Sequence, residues 1–131
     1  MSRIFIVDDH LLVRQGYIFL ICRELHMEVC GEAATGLEAL EKIPICAPDA
    51  VVLDISLSGD MNGIQLLKQL QTLYADLPVL VVSGHDERIY AERLLRLGAR
   101  GYVMKGDPVA FMQAIRKIVN GEIYANLQIH K

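Results

Sequence analysis

The sequence has no long apolar run and no excess of positive charge. None of its apolar runs reaches the roughly 18 residues that a membrane-spanning helix needs, and its first residues lack the charged-then-apolar layout of a signal peptide. The net charge is −3, and the 13 basic residues are scattered along the chain. We therefore expect a cytoplasmic protein that does not span a membrane, and a segment that does not itself bind nucleic acid.

Cysteines are also too few and too irregularly spaced for a disulfide framework or a zinc site. Cys22, Cys30 and Cys46 are odd in number and include no Cys-x-x-Cys pair. We expect reduced, mostly buried thiols that pack as small apolar side chains. The 131 residues suit one domain, and the 53% apolar fraction favours a compact core over a disordered tail.

What the sequence does contain is a regular alternation of strand-like and helix-like segments. Continuous apolar runs such as Ile4–Val7 and Ala50–Leu53 are typical of strands buried on both faces. A segment with helical spacing of apolar residues follows each run, and one of these, Gly36–Ile43, is expected to end before Pro44. Five such units in series predict an α/β fold, with a parallel sheet and helices on both of its faces.

Polar residues capable of chemistry stand where four of these strands end. Asp8 and Asp9 follow the first strand, Asp54 ends the third, Ser83 ends the fourth and Lys105 follows the fifth. The carboxyl ends of parallel strands meet at one edge of the sheet, which is where ligands bind in open α/β folds. Three carboxylates gathered there would repel one another, and a divalent cation such as Mg²⁺ would relieve that repulsion.

Each of these residues also has an ordinary structural explanation. The Asp pair could cap a helix, Asp54 could cap the following loop, Ser83 could belong to a turn, and a lysine is usually a solvated surface charge. Their joint occurrence on successive strand ends favours a site. A phosphoryl group transferred to one carboxylate would add oxygen ligands for the cation, and Lys105 could neutralise further charge.

Four sequence blocks resemble the signature of response regulator receiver domains of two-component systems. The blocks are Ile6–His10, Val51–Ile55, Val81–His85 and Gly101–Lys105. The similarity runs from about Ile4 to Tyr124 and is greatest to receivers of the NarL/FixJ (LuxR-type) class. It implies a flavodoxin-like (βα)5 fold, doubly wound around a parallel five-stranded sheet with strand order 2-1-3-4-5.

The resemblance also implies a role for individual residues. Asp54 matches the phosphoacceptor, which takes the phosphoryl group from a phosphohistidine of a sensor histidine kinase. Asp9 matches a direct ligand of Mg²⁺, with Mn²⁺ as the alternative metal. Asp8 matches a residue that contributes charge and a water-mediated contact, and Ser56 matches a ligand through its backbone carbonyl.

The remaining matched positions bind the phosphoryl group and relay its presence. Lys105 matches the cation that contacts the phosphoryl group, and Ser83, followed by Gly84, matches the hydroxyl that turns inward toward it. Tyr102 matches the aromatic residue that moves inward with that hydroxyl, which biases the surface of the fourth helix, fifth strand and fifth helix. The implied protein is not an enzyme but a phosphoryl-accepting switch, with at most magnesium-dependent self-phosphorylation and autodephosphorylation.

The sequence departs from typical receivers in two loops. Ser58 replaces a proline four positions after Asp54, and that loop is one residue longer and carries an additional acid, Asp60. Gly106 replaces the proline that follows the lysine in many receivers, and glycine can adopt backbone angles closed to other residues. His85, two positions beyond the serine, matches a place from which a side chain can tune hydrolysis of the acyl phosphate.

Other folds of the same class remain as alternatives. A flavin module needs a Ser/Thr/Gly-rich loop after the first strand, where this chain has acids, and a cobalamin domain needs a glycine where Val13 stands. A metal-dependent phosphohydrolase would carry an acid at position 56, which is a serine. A receiver that no longer uses phosphate is a further alternative, although the complete set of acids, Ser83 and Lys105 argues against it.

Residues 1–125 are expected to form the receiver domain, and residues 126–131 a tail that could begin a linker to an output domain. The resemblance leaves open whether the chain is an independent receiver or part of a transcriptional regulator. It implies a sensor histidine kinase as partner and a homodimer on phosphorylation. Contact with DNA would be made only by a C-terminal domain that this chain does not include.

Overall fold

The computed structural model describes residues 1–84 and 88–125, and of residues 88–90 and 125 it describes only the backbone. Two predictions, His85 as a tuner of hydrolysis and the tail of residues 126–131, lie outside the described residues. All other predicted site residues lie inside them.

Six strands form one parallel sheet in the described part of the chain. The strands are β1 (Ser2–Val7), β2 (Met27–Ala33), β3 (Ala50–Asp54), β4 (Val79–Ser83), β5 (Gly101–Met104) and β6 (Tyr124–Ala125). Their order is β2-β1-β3-β4-β5-β6, and each pair of neighbours is parallel. The predicted order 2-1-3-4-5 is therefore confirmed, with the two-residue strand β6 added at the edge next to β5.

In the same described residues, five helices connect or follow these strands. They are α1 (Leu11–Cys22), α2 (Gly36–Cys46), α3 (Gly63–Leu73), α4 (Arg88–Arg96) and α5 (Pro108–Val119). Local sequence defines several of their starts. Asn62 and Gln65 form a reciprocal capping box at α3. Asp107 caps α5, because its side chain accepts from the Ala110 N–H, and Pro108 is the first residue of that helix.

The helices cover the sheet on both faces, as predicted. On one face α1 and α5 pack over one set of alternate strand residues, and on the other α2, α3 and α4 pack over the remaining set. Leu66, Leu67 and Leu70 of α3 are fully buried, and burial of each such side chain contributes about 1.5–3 kcal/mol. These two apolar layers hold the carboxyl ends of the strands in place.

The expected end of α2 before Pro44 was wrong, because the helix continues through Pro44 to Cys46. Proline inside a helix removes one N–H donor, yet the backbone N–H of Ala47 still bonds to the Ile43 carbonyl at 2.8 Å. Ala47 then ends the helix in the left-handed conformation, with φ of +49°. An L-residue adopts this conformation at a cost that glycine does not have.

Ala47→Gly is expected to stabilise the protein. Relief of the left-handed strain outweighs the added freedom of glycine in the unfolded chain, so the free energy of unfolding should rise by about 0.5–1 kcal/mol. Urea denaturation measures this change. The same substitution in the middle of α2, Ala39→Gly, serves as the control and should lower it by about 1 kcal/mol or more, because Ala39 is also fully buried. A loss of stability in Ala47→Gly would contradict the interpretation.

The prediction of mostly buried cysteines was wrong. All three are free thiols, but Cys22 is exposed and Cys30 and Cys46 are only partly buried. Burial, followed by the adjacent Cys46, raises the pKa of the Cys30 thiol to about 11. This thiol is therefore protonated near neutral pH, which makes it a poor nucleophile.

Among the described helices, none combines the length and apolar character that crossing a membrane would require.

Candidate functional site

The sheet register brings the predicted site residues to one edge. Asp54 at the end of β3 lies beside Val82 of β4, and Ser83 at the end of β4 lies beside Met104 of β5. The backbone N–H of Lys105 bonds to the Ser83 carbonyl at 2.7 Å, which fixes the start of the lysine loop against β4. The strand ends therefore form one rim, as the sequence predicts.

Alternation along the strands divides the rim residues between the two faces. Three rim residues stand two positions after a residue that packs under α1 and α5: Asp8, Asp54 and Lys105. Those preceding residues are Ile6, Val52 and Val103. Since side chains two apart along a strand point to the same face, the two acids and the lysine converge on the α1/α5 side of the rim.

An ion pair at the rim joins Lys105 to Asp54. The lysine Nζ lies 3.0 Å from Asp54 Oδ2 and 3.4 Å from Asp8 Oδ2. Both carboxylates are buried, with exposed fractions of 1% for Asp54 and 0% for Asp8. Buried charges of this kind persist when they are paired, and one lysine here serves two acids.

The charge state of Lys105 follows from the same contacts. Burial lowers the pKa of its ammonium, but the hydrogen bond and charge of Asp54, together with Asp8, outweigh burial and raise the pKa above its ordinary value. Lys105 is therefore protonated at neutral pH. The stabilisation of the folded state by charged Lys105 is fully present below the ordinary pKa of lysine, and it is lost as pH rises through the raised pKa of Lys105.

The other oxygen of Asp54 is held by the loop that follows it. The Ser56 N–H donates to Asp54 Oδ1 at 2.9 Å, and the Ser56 hydroxyl donates to the same oxygen at 2.8 Å. Asp54 is thus bonded through both oxygens, to a lysine on one side and to a serine on the other. The hydroxyl contact was not predicted, and the predicted metal contact of the Ser56 backbone carbonyl stays a prediction.

Two further side chains at the site were missed or underestimated from the sequence. His10, which was not among the predicted site residues, places its Nδ1 3.1 Å from Asp8 Oδ1 and 3.0 Å from Asp9 Oδ1. The Ser58 hydroxyl donates to Asp9 Oδ2 at 3.4 Å, so the residue that replaces a loop proline faces the acids. The Asp-Asp-His run signals the first contact, whereas only the loop conformation reveals the second.

The side chains of Asp8, Asp9, His10 and Asp54, which we call the acidic cluster, fit a hard divalent cation. Each offers a ligand atom, and these atoms all lie within 4.8 Å of one another. Three carboxylates and the Lys105 ammonium leave two formal negative charges for a cation to neutralise. Asp8 Oδ2 is buried and makes no hydrogen bond to the described residues. Carboxylate-rich sites suit Mg²⁺ and Mn²⁺ better than metals that prefer sulfur or imidazole.

Ser83 and Tyr102 occupy the opposite face from the acids. Tyr102 packs in the layer beneath α2, α3 and α4. Val81 belongs to the same layer, and Ser83, two positions later in β4, points to the same face. Both residues are buried, with exposed fractions of 2% for Ser83 and 8% for Tyr102. Gly84, beyond the serine, is exposed. The predicted hydroxyl and aromatic residue therefore share one face on adjacent strands.

The two unusual loops differ in their relation to the site. Asp60, the additional acid, lines a separate surface depression with Lys68 and is not part of the acidic cluster. Gly106 adopts φ of +83°, a backbone conformation that favours glycine and that leads the chain from Lys105 toward α5.

Comparison with known proteins identifies the family. The profile described as the response regulator receiver domain matches residues 4–116. Oxygen regulatory protein NreC of Staphylococcus epidermidis is 30% identical over 128 residues, which are 97% of this chain but only 59% of that protein. The chain thus spans less than two thirds of the length of this relative.

Solved structures agree with this match. A two-component response regulator of the LuxR family from Aurantimonas sp. SI85-9A1 superposes with a TM-score of 0.88 at 36% identity, over 95% of this chain and 89% of that chain. The signal receiver domain of NarL from Mycobacterium tuberculosis superposes with a TM-score of 0.83 at 30% identity, over 92% and 98% of the two chains. With its fold, its acidic rim and these matches, the chain belongs to the response regulator receiver domain family, in its NarL/NreC-type branch.

Proposed function

We propose that Asp54 is the phosphoacceptor of this receiver domain. The observation that supports this most directly is the contact of Lys105 Nζ with Asp54 Oδ2 at 3.0 Å, beside two further acids. The Asp54 carboxylate is the nucleophile, and the Lys105 ammonium next to it can compensate the negative charge of the phosphoryl group that Asp54 would accept. Asp54 is bonded through both of its oxygens, to Lys105 and to Ser56, and neither Asp8 nor Asp9 is bonded to this pair of residues in the same way.

The proposed reaction transfers a phosphoryl group without change of oxidation state. A carboxylate oxygen of Asp54 attacks phosphorus while the P–N bond of the donor phosphohistidine breaks, and the imidazole leaves with the bonding electrons and takes up a proton. With acetyl phosphate the breaking bond is P–O and acetate leaves. Lys105 supplies positive charge next to the transferred group, which stabilises the developing charge on its oxygens.

A divalent cation completes the proposed site. Asp9 and Asp54 would hold it directly, Asp8 through a water molecule and Ser56 through its backbone carbonyl. Mg²⁺, or Mn²⁺ in its place, would neutralise charge on the phosphoryl oxygens. The chain's own part is to hold the carboxylates close together, and the contacts of His10 and Ser58 support their present orientation.

The proposed switch begins at Ser83 and Tyr102. A phosphoryl group on Asp54 adds acceptor oxygens, and Ser83 with Gly84 would turn toward them. The shared face of Ser83 and Tyr102 supports a coupled movement of the ring. Such a movement would bias the surface built from α4, β5 and α5 between two packings. His85, outside the described residues, is proposed as a tuner of hydrolysis.

The cellular role is proposed from the relatives. Residues 1–125 would form the receiver and residues 126–131 the start of a linker to a DNA-binding domain outside this chain, since the related NreC is longer. A cytoplasmic sensor histidine kinase domain would be the phosphoryl donor, and phosphorylation would favour a homodimer that regulates transcription. The chain is a signalling domain rather than a conventional enzyme, and we propose that its own chemistry is limited to self-phosphorylation and autodephosphorylation.

Binding of beryllofluoride, a phosphoryl mimic, tests the proposed site. With magnesium and beryllofluoride together at about 100 times the dissociation constant, the thermal midpoint should rise by roughly 5–10 °C, because ligand binding to the native state adds about 2.7 kcal/mol. Differential scanning calorimetry measures this shift. Beryllofluoride alone serves as the control and should leave the midpoint unchanged. A shift that is absent, or that does not require magnesium, would argue against the proposal.

A further inference from the structure

Two buried polar atoms beside the acidic cluster have complementary hydrogen-bonding needs. The hydroxyl of Tyr17 is a donor, and Asp8 Oδ2 is an acceptor; neither makes a hydrogen bond to any described residue. Asp8 Oδ2 forms an ion pair with Lys105 Nζ, 3.4 Å away. An unsatisfied buried polar group is costly, so each such atom in a native protein calls for a partner.

Both atoms lie on the same side of the sheet. Tyr17 lies on α1 and belongs to the apolar layer between the sheet and helices α1 and α5. Its ring stacks on Phe111 of α5, with 4.6 Å between ring centroids and 18° between planes. Asp8 follows Ile6 of that layer by two positions, so the alternation of β1 directs it to the same side. Long side chains of a helix point back toward its N-terminus, which in α1 is the end next to Asp8.

The electrostatics of the phenol agree with this placement. Burial, followed by the negative charges of Asp8 and Asp54, raises the pKa of the Tyr17 hydroxyl above its usual range. The hydroxyl therefore keeps its proton and remains a hydrogen-bond donor. Tyr17 is not among the residues of the proposed phosphoryl transfer, and the four signature blocks do not include it.

Space for solvent exists next to the ring. A pocket of about 300 Å³ opens between α1 and the start of α5, and its lining includes Tyr17, Val82, Gly106 and Phe111. This volume exceeds that of a water molecule several-fold. The lining is mainly apolar, and a water is retained in such a space only where polar groups such as the Tyr17 hydroxyl can bind it.

We propose that one buried water bridges the Tyr17 hydroxyl to Asp8 Oδ2 and that Tyr17 is thereby a positioning residue for the acidic cluster. The phenol donates to the water, and the water donates to the carboxylate. This bridge holds Asp8 in the orientation that the cation site needs, and the inference rests on the proposed function of that site.

Magnesium affinity of the metal-free chain tests the positioning role. In Tyr17→Phe the dissociation constant for Mg²⁺, measured by isothermal titration calorimetry, should increase roughly tenfold, as for other losses of an outer hydrogen bond to a metal ligand. Tyr74→Phe is the matched control. It removes the same hydroxyl from a partly buried ring that packs in the opposite layer, and its affinity should equal that of the wild type.

A second measurement does not depend on the variant. A high-resolution crystal structure of the wild-type chain should show a water within hydrogen-bonding distance of both Tyr17 Oη and Asp8 Oδ2. Equal magnesium affinity of Tyr17→Phe and wild type, or a site without that water, would overturn the inference while leaving the proposed function intact. If the wild type itself bound no magnesium, the proposed function would fail and the inference with it.

Discussion

Asp54→Asn is expected to abolish phosphoryl uptake. After incubation with acetyl phosphate and magnesium, the wild type should gain the mass of one phosphoryl group, and the variant should show no gain by intact-mass spectrometry. The amide keeps the size of the side chain and can still accept from Ser56, but it lacks the carboxylate that attacks phosphorus. It also removes one of the two acids that Lys105 contacts, and with it the charge match on which transfer depends.

Asp60→Asn is the matched control for this experiment. Asp60 lies in the loop after Asp54, is exposed, and lines a depression apart from the acidic cluster. The same loss of charge there should leave the mass gain at the wild-type level. An undiminished gain in Asp54→Asn would refute the assignment of the phosphoacceptor and would point to another carboxylate of the acidic cluster.

Gly63→Ala is expected to destabilise the fold severely. Gly63 is the first residue of α3, and a Cβ placed there would lie 2.5 Å from the Ile55 carbonyl oxygen and 2.7 Å from Ile55 Cα. Both atoms are backbone, so relief would require the loop after Asp54 to move away from α3. We expect the free energy of unfolding, measured in urea, to fall by about 2–4 kcal/mol.

Gly16→Ala separates this steric effect from the general effect of alanine in place of glycine. Gly16 lies within α1, and its Cβ would meet nothing within 4 Å. Alanine there should raise the free energy of unfolding by about 0.5–1 kcal/mol, because it lowers the entropy of the unfolded chain and favours helix. If both variants changed stability in the same direction and by similar amounts, the close approach of α3 to Ile55 would not be the cause.

Most of the architecture could be predicted from local patterns. Apolar runs such as Ile4–Val7 and Ala50–Leu53 identified buried strands because burial on both faces leaves no polar position within them. The helix that passes through Pro44 was missed, since the capping geometry of Ala47 and the packing of α2 override the local preference of proline. Strand β6 was missed because two residues carry no periodic pattern, and only pairing with β5 defines them.

The site divides in the same way. The rim position of Asp8, Asp54 and Lys105 follows from their places at strand ends, because parallel strands bring their carboxyl ends together. His10 stands next to the acids in the sequence, whereas the contact of Ser58 with Asp9 depends on loop conformation. The stacking of Tyr17 on Phe111 depends on how α1 packs against α5, which no spacing in the sequence encodes.

By itself, then, the sequence determined the order of the elements, the apolar layers and which polar residues end the strands. These properties depend on periods of two and 3.6 residues, which are local. Only the tertiary structure decided that Lys105, 51 positions after Asp54, contacts its Oδ2 and that Ser83 and Tyr102 share the opposite face. Such contacts join residues far apart in the chain, so they arise only when twist, register and helix packing act together.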